Sequence, residues 1–153
     1  MKIENWNLKI NSGQSLVEIL VAIAVVTLVL VTLVAAVVMA IRGVRFSKEK
    51  IRANFLNQEG MEWARSQRQE KGWADFGLLA TGAGARYCLV DLSWDRLGSC
   101  SESQIIDTKF TREAVLTTAG SDGVKVAVTT TWDEGGSEFV SKGETTLRQW
   151  DIN

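Results

Sequence analysis

The sequence predicts an α+β fold: one long N-terminal helix, transmembrane in its first half, packed against a small antiparallel β-sheet head. Three observations predict it. An unbroken apolar run extends from Leu16 to Ile41. A mixed polar and apolar stretch of near-helical spacing continues to about Gln69. From Phe110 onward, apolar and polar residues alternate with a period of two, divided by glycine-containing turns. At 153 residues the chain has room for one small domain beside a membrane segment.

Residues 1–13 form a short polar leader that carries Lys2, Lys9 and Glu4 and ends in Gly13. Residues 14–41 hold the apolar run. Its single charge is Glu18, and its only other polar members are Thr27 and Thr32. About 20 apolar residues span a bilayer core, and this run exceeds that. Its many valines would favour strand in water. In hydrocarbon the backbone must satisfy its own hydrogen bonds, so helix wins. No proline interrupts the chain. A cleaved secretory signal would place its small cleavage residue after an apolar stretch of about 7–15 residues. Here Gly13 precedes a longer one. An ordinary anchor would account for the hydropathy but not for Glu18, whose insertion costs roughly 2.5–3.5 kcal/mol.

Residues 42–71 are predicted as an amphipathic helical stalk. Val44, Ile51, Phe55, Met61 and Trp63 would face a core, with Lys48, Lys50, Arg52, Asn54, Gln58 and Glu62 between them. Gly43 and Gly60 weaken this helix locally, and it should end near Gln69, before Gly72. Residues 72–109 read as a connector, with a loop around Gly77, Gly82 and Gly84 and a strand over Tyr87–Leu92. Cys88 and Cys100 lie in it. A bridge between them would stabilise the head by about 3 kcal/mol in the chain-entropy model; two buried free thiols are the other reading. Residues 110–153 are predicted as an antiparallel meander. Its strands run over Phe110–Thr117, Val124–Trp132 and Glu138–Trp150, with turns at Asp122-Gly123 and Asp133–Gly136 and a candidate break at Gly143.

Composition narrows the chemistry. There is no histidine, which removes the commonest general base and metal ligand. Without paired cleft acids, an enzyme is not expected, nor is a cofactor or metal. Asp122, Asp133 and Glu134 lack EF-hand spacing and read as solvated turn residues. The six tryptophans read mostly as core, with Trp6 in the leader. The net charge of -1 hides an asymmetry. From Arg42 to Lys71 there are eight Lys or Arg against four Asp or Glu; from Gly72 onward, seven against twelve. An acidic head repels a phosphate backbone, so direct nucleic-acid binding is not expected. The basic flank beyond Ile41, on a simple positive-inside count, would put the head in the cytoplasm. A stable disulfide would instead require an oxidising compartment.

Gly13-Gln14-Ser15-Leu16-Val17-Glu18, followed by Ile19-Leu20-Val21-Ala22-Ile23-Ala24, resembles the processing motif of type IV prepilins. That family includes type IV pilins and the pseudopilins of type II secretion. The resemblance covers about 30 residues, and such motifs are hypotheses until their context is established. It implies cleavage after Gly13 by the prepilin peptidase, N-methylation of the new terminus at Gln14, and an assembly role for Glu18. It also implies an inner-membrane subunit with one span and its head outside, which an assembly platform then builds with other pilins into a helical pilus or pseudopilus. Gln14 stands where the family more often has phenylalanine. Leu33–Val37 lacks the helix-breaking proline usual in major pilins. Both departures are closer to minor pilins of the V class and minor pseudopilins. A filament-displayed adhesion or DNA-uptake module is the alternative function.

Overall fold

The computed structural model describes residues 12–101 and 103–149, with the backbone alone for 12–15. The leader residues before Ser12, Trp6 among them, lie outside it, as does Trp150. The fold is α+β: one long helix, α1 (Ser12–Gly77), then a four-stranded open antiparallel sheet. The strands are β1 (Ala85–Cys88), β2 (Phe110–Thr118), β3 (Gly123–Glu134) and β4 (Ser137–Arg148), in spatial order β1-β2-β3-β4. The chain divides into two compact units that meet in sequence between Arg45 and Phe46.

The described residues of the first unit are helix. Its side chains from Leu16 to Ile41 are exposed on every face. That pattern suits a solvent as apolar as the residues themselves. The two hydroxyls in the run return to the backbone: Thr27 donates to the Ala24 carbonyl at 2.9 Å and Thr32 to the Val29 carbonyl at 2.8 Å. Neither hydroxyl then needs water.

The second unit packs the rest of α1 against one sheet face. Each strand alternates between the faces. Phe110, Ala114 and Leu116 of β2, and Val124, Val126, Val128 and Trp132 of β3, turn toward the helix and are buried. The helix answers with Ala53, Leu56, Ala64 and Phe76. Its buried face is therefore not the large apolar stripe predicted from sequence. Val44 and Ile51 are each 69% exposed and Phe55 54%; Met61 and Trp63 are only partly buried. Small residues win this face because they let helix and sheet come close. A Cβ on Gly60 would stand 3.1 Å from Val128 Cγ1 and 3.4 Å from Arg112 Cδ. On β4, a Cβ on Gly143 would stand 2.9 Å from Met61 Cε. Gly143 does not break β4, as the sequence suggested it could. The strand runs through it in continuous register with β3, and the glycine makes room for Met61.

The helical backbone is interrupted at Gly72 (φ 78°, ψ 165°), a conformation open to glycine. The β3–β4 hairpin closes through Gly135 and Gly136, both with positive φ (65° and 79°). Two-residue loops of this kind match the twist of antiparallel strands. β1 occupies 85–88, upstream of the expected 87–92, and brings part of the connector into the sheet.

Among the described residues three polar side chains, Arg112, Asn57 and Thr130, are sealed between helix and sheet. Arg112, 2% exposed, faces inward from β2. Its Nε and Nη2 donate to the Leu89 carbonyl at 3.0 and 2.9 Å. Its Nη1 donates to the Leu56 carbonyl of α1 at 3.0 Å and to Glu59 Oε2 at 2.6 Å. Asn57 is also buried: it accepts from Thr130 Oγ1 at 2.7 Å and donates to Ser141 Oγ at 2.8 Å. Burying polar groups is costly unless they are partnered in this way.

Candidate assembly site

The residues singled out at the N-terminal end fall on one helix. α1 begins at Ser12, so Gly13, Gln14 and Glu18 all lie within its first two turns. Gln14 and Glu18 are four apart, hence one above the other on the same helix face. Glu18 is exposed, and its neighbours Val17, Ile19, Leu20 and Val21 are all more than half exposed. Among the described residues no cation or hydrogen-bond donor meets its carboxylate. Glu18 lies beyond the first turn, where the unpaired N–H groups of a helix act most strongly, but a positive group one turn upstream would pair with it directly. The segment that follows is long and apolar enough to cross a membrane.

The other predicted pair lies in the head. Cys88 and Cys100 form a disulfide, with Cα atoms 4.9 Å apart. Cys88 is the last residue of β1, and the bridge holds the returning connector beside it. The Cys88 N–H donates to the Arg96 carbonyl at 2.9 Å, and the Gly98 N–H to the Arg86 carbonyl at 2.7 Å. The 96–98 segment thus lies along the outer edge of β1 like a short additional strand, with Leu97 bridged to Tyr87. The Cys100 N–H is taken by Glu113 Oε1 at 2.9 Å. Replacing both cysteines with alanine should lower the head's unfolding free energy by about 3 kcal/mol. Limited proteolysis checks the local effect: cleavage between Leu89 and Lys109 should precede cleavage elsewhere in the head.

Two of the three acids weighed as cation ligands are engaged in turns, while the third, Glu134, keeps Oε2 buried without a hydrogen-bond partner among the described residues. Asp122 pairs with Arg148 at 3.3 Å, and Asp133 Oδ1 accepts the Gly136 N–H at 3.2 Å. Among the described residues no group of three or more His, Cys, Asp or Glu is arranged to hold a metal. Sequence reasoning missed Arg112, although the alternation of Phe110, Ala114 and Leu116 placed it on the inward face. No family model, characterised protein or solved structure matches the chain.

Proposed function

We propose that this chain is a minor pilin or pseudopilin, a structural subunit of a type IV pilus or type II secretion pseudopilus, with no catalysis of its own. In this reading the prepilin peptidase cuts after Gly13 and the amino group of Gln14 is methylated. The span then holds the subunit in the inner membrane, head outward, until the assembly platform draws it into a filament of related subunits.

One observation carries the reading: a lone carboxylate, Glu18, in a run that is apolar on every face, one turn beyond a residue that follows glycine. Cutting at Gly13 would create a positive amine on the same helix face, or present it to a neighbour's Glu18. Either pairing offsets the cost of placing the acid in hydrocarbon. The long apolar helix joined to a small antiparallel sheet supports the same reading, as does a disulfide suited to an oxidising compartment.

The test is the mass of the protein purified from cells with and without a prepilin peptidase. With the enzyme, the chain should start at Gln14 and carry one methyl group; without it, residues 1–13 should remain. The same uncut mass from both cells refutes the proposal.

A further inference from the structure

The two edges of the sheet are treated differently. The β1 edge is covered by residues 96–98 and fastened by the disulfide. The β4 edge pairs with β3 alone, over twelve residues in continuous register and without a proline. Among the described residues its outer side is met only at the end, where Arg68 Nη1 takes the Arg148 carbonyl at 3.0 Å. An uncovered edge of this length accepts a further strand.

The register shows which peptide groups are free. Glu134 faces Ser137 across the two-residue loop, and the Gln149 N–H donates to the Asp122 carbonyl at the far end. In an antiparallel ladder every second residue makes both bonds to its neighbour. The odd-numbered residues of β4 therefore bond to β3. The even-numbered ones turn N–H and C=O outward, and their side chains share the sheet face away from the helix. In order they are Glu138, Val140, Lys142, Glu144, Thr146 and Arg148.

This row is its own antiparallel match. With a second β4 laid alongside and the two-fold axis at Gly143, Glu138 falls opposite Arg148, Val140 opposite Thr146 and Lys142 opposite Glu144. Every charge in the row then meets its opposite. Sliding one strand by two residues sets Lys142 against Lys142 in one direction and Glu144 against Glu144 in the other. Sliding it by four sets Glu138 against Glu144, or Lys142 against Arg148. Directly opposed like charges are destabilising and opposite ones stabilising, so the row selects one register among its long overlaps. Glu144 is charged throughout: Lys125 at 2.8 Å and Lys142 at 2.6 Å hold its carboxyl down to about 2.

We infer that the β4 edge is a two-fold interface with a second copy of this chain, the two β4 strands running antiparallel about Gly143. Val140 and Lys142 of each copy exchange both backbone bonds with Thr146 and Glu144 of the other. At the axis, Lys142 and Glu144 of the two copies form a square of alternating charge, and two-fold symmetry makes every such contact twice. Along the head, α1 and β4 run in the same direction: Phe46 packs on Phe139, and Arg68 reaches Arg148. The pairing therefore sets the head portions of the two helices antiparallel on one face of a continuous sheet.

The test uses the full chain in detergent micelles. Sedimentation with the detergent density-matched should show a dimer. Lys142→Glu and Glu144→Lys each place like charges across the axis twice, and each alone should weaken association about tenfold or more. Mixed together, the two variants oppose glutamate to lysine at both positions, so the mixture should regain the dimer that each loses alone. Register is read separately. Val140→Cys and Thr146→Cys chains each carry one free thiol beside the native disulfide. On oxidation they should cross-link when mixed, and neither should cross-link alone. Val140→Pro removes an outward N–H that β3 does not use, a tolerated place for edge proline. It should dissolve the dimer while leaving the melting curve of the head in place. The inference is overturned if the chain sediments as a monomer, or if the mixed charge variants associate no better than either one. It is also overturned if the cysteine chains cross-link alone as readily as together, or if Val140→Pro leaves the dimer intact, which would place the contact elsewhere in the chain. None of these readouts depends on leader cleavage, so this inference and the filament proposal fail separately.

Discussion

Arg112→Ala is expected to lower the unfolding free energy of the head by about 3–5 kcal/mol, the largest single effect on its stability. Three losses combine. A side chain 2% exposed leaves a cavity between α1 and the sheet. The Leu89 carbonyl loses two donors, and the Leu56 carbonyl and Glu59 lose one each. Neither carbonyl is left wholly unpaired, since Leu89 still accepts the Leu92 N–H at 3.4 Å and Leu56 lies inside the helix, but the donors that Arg112 shares among them are lost together. Arg112→Met separates these terms: it restores most of the stem's volume but none of the donors, so it should recover only part of the loss. Urea unfolding followed by tryptophan fluorescence checks both, since Trp63, Trp94 and Trp132 sit in or against the core. A shift of less than about 1 kcal/mol for Arg112→Ala would show that the guanidinium is dispensable to the packing.

Glu18→Ala should leave insertion intact and remove the subunit from filaments. The substitution deletes an insertion cost of roughly 2.5–3.5 kcal/mol, so the chain reaches the membrane at least as readily. What it loses is the partner for the amine proposed at Gln14. A buried pair broken on one side costs about 3–5 kcal/mol, which would lower entry into the polymer by a factor of at least about a hundred. The measurement is the ratio of sheared-filament to membrane-bound protein, with leader removal monitored in parallel. Normal incorporation of the alanine variant would end the pairing argument without touching the cleavage argument.

Much of the fold is legible in the sequence because hydropathy reports it directly. The apolar run carries a helix by length alone. β2, β3 and β4 follow from two-residue alternation and from Asp122-Gly123 and Gly135-Gly136. The packed face of α1 is not legible in the same way. Hydropathy favours Val44, Ile51 and Phe55, yet the contact is made by Ala53, Leu56, Asn57, Gly60 and Ala64. Close approach selects for smallness, which a hydropathy pattern does not register. The same blindness makes Gly143 look like a break when it is a place for Met61. At the candidate assembly site the sequence supplies nearly everything, because Gly13, Gln14 and Glu18 are close in the chain and a helix merely stacks them. Arg112 shows the opposite case: a charge in an inward position looks like an exception until the carbonyls around it are seen.

The polar anchors between helix and sheet have a mechanical consequence. They are spread along the helix, from Asn57 through Glu59 to Arg65 and Arg68, over about 16 Å of axis. Because β4 lies in the same direction as α1, a tug along the helix loads these joints side by side rather than one after another. The head would then resist being stripped from its helix as a lap joint resists shear, and would give way far more easily to a sideways peel.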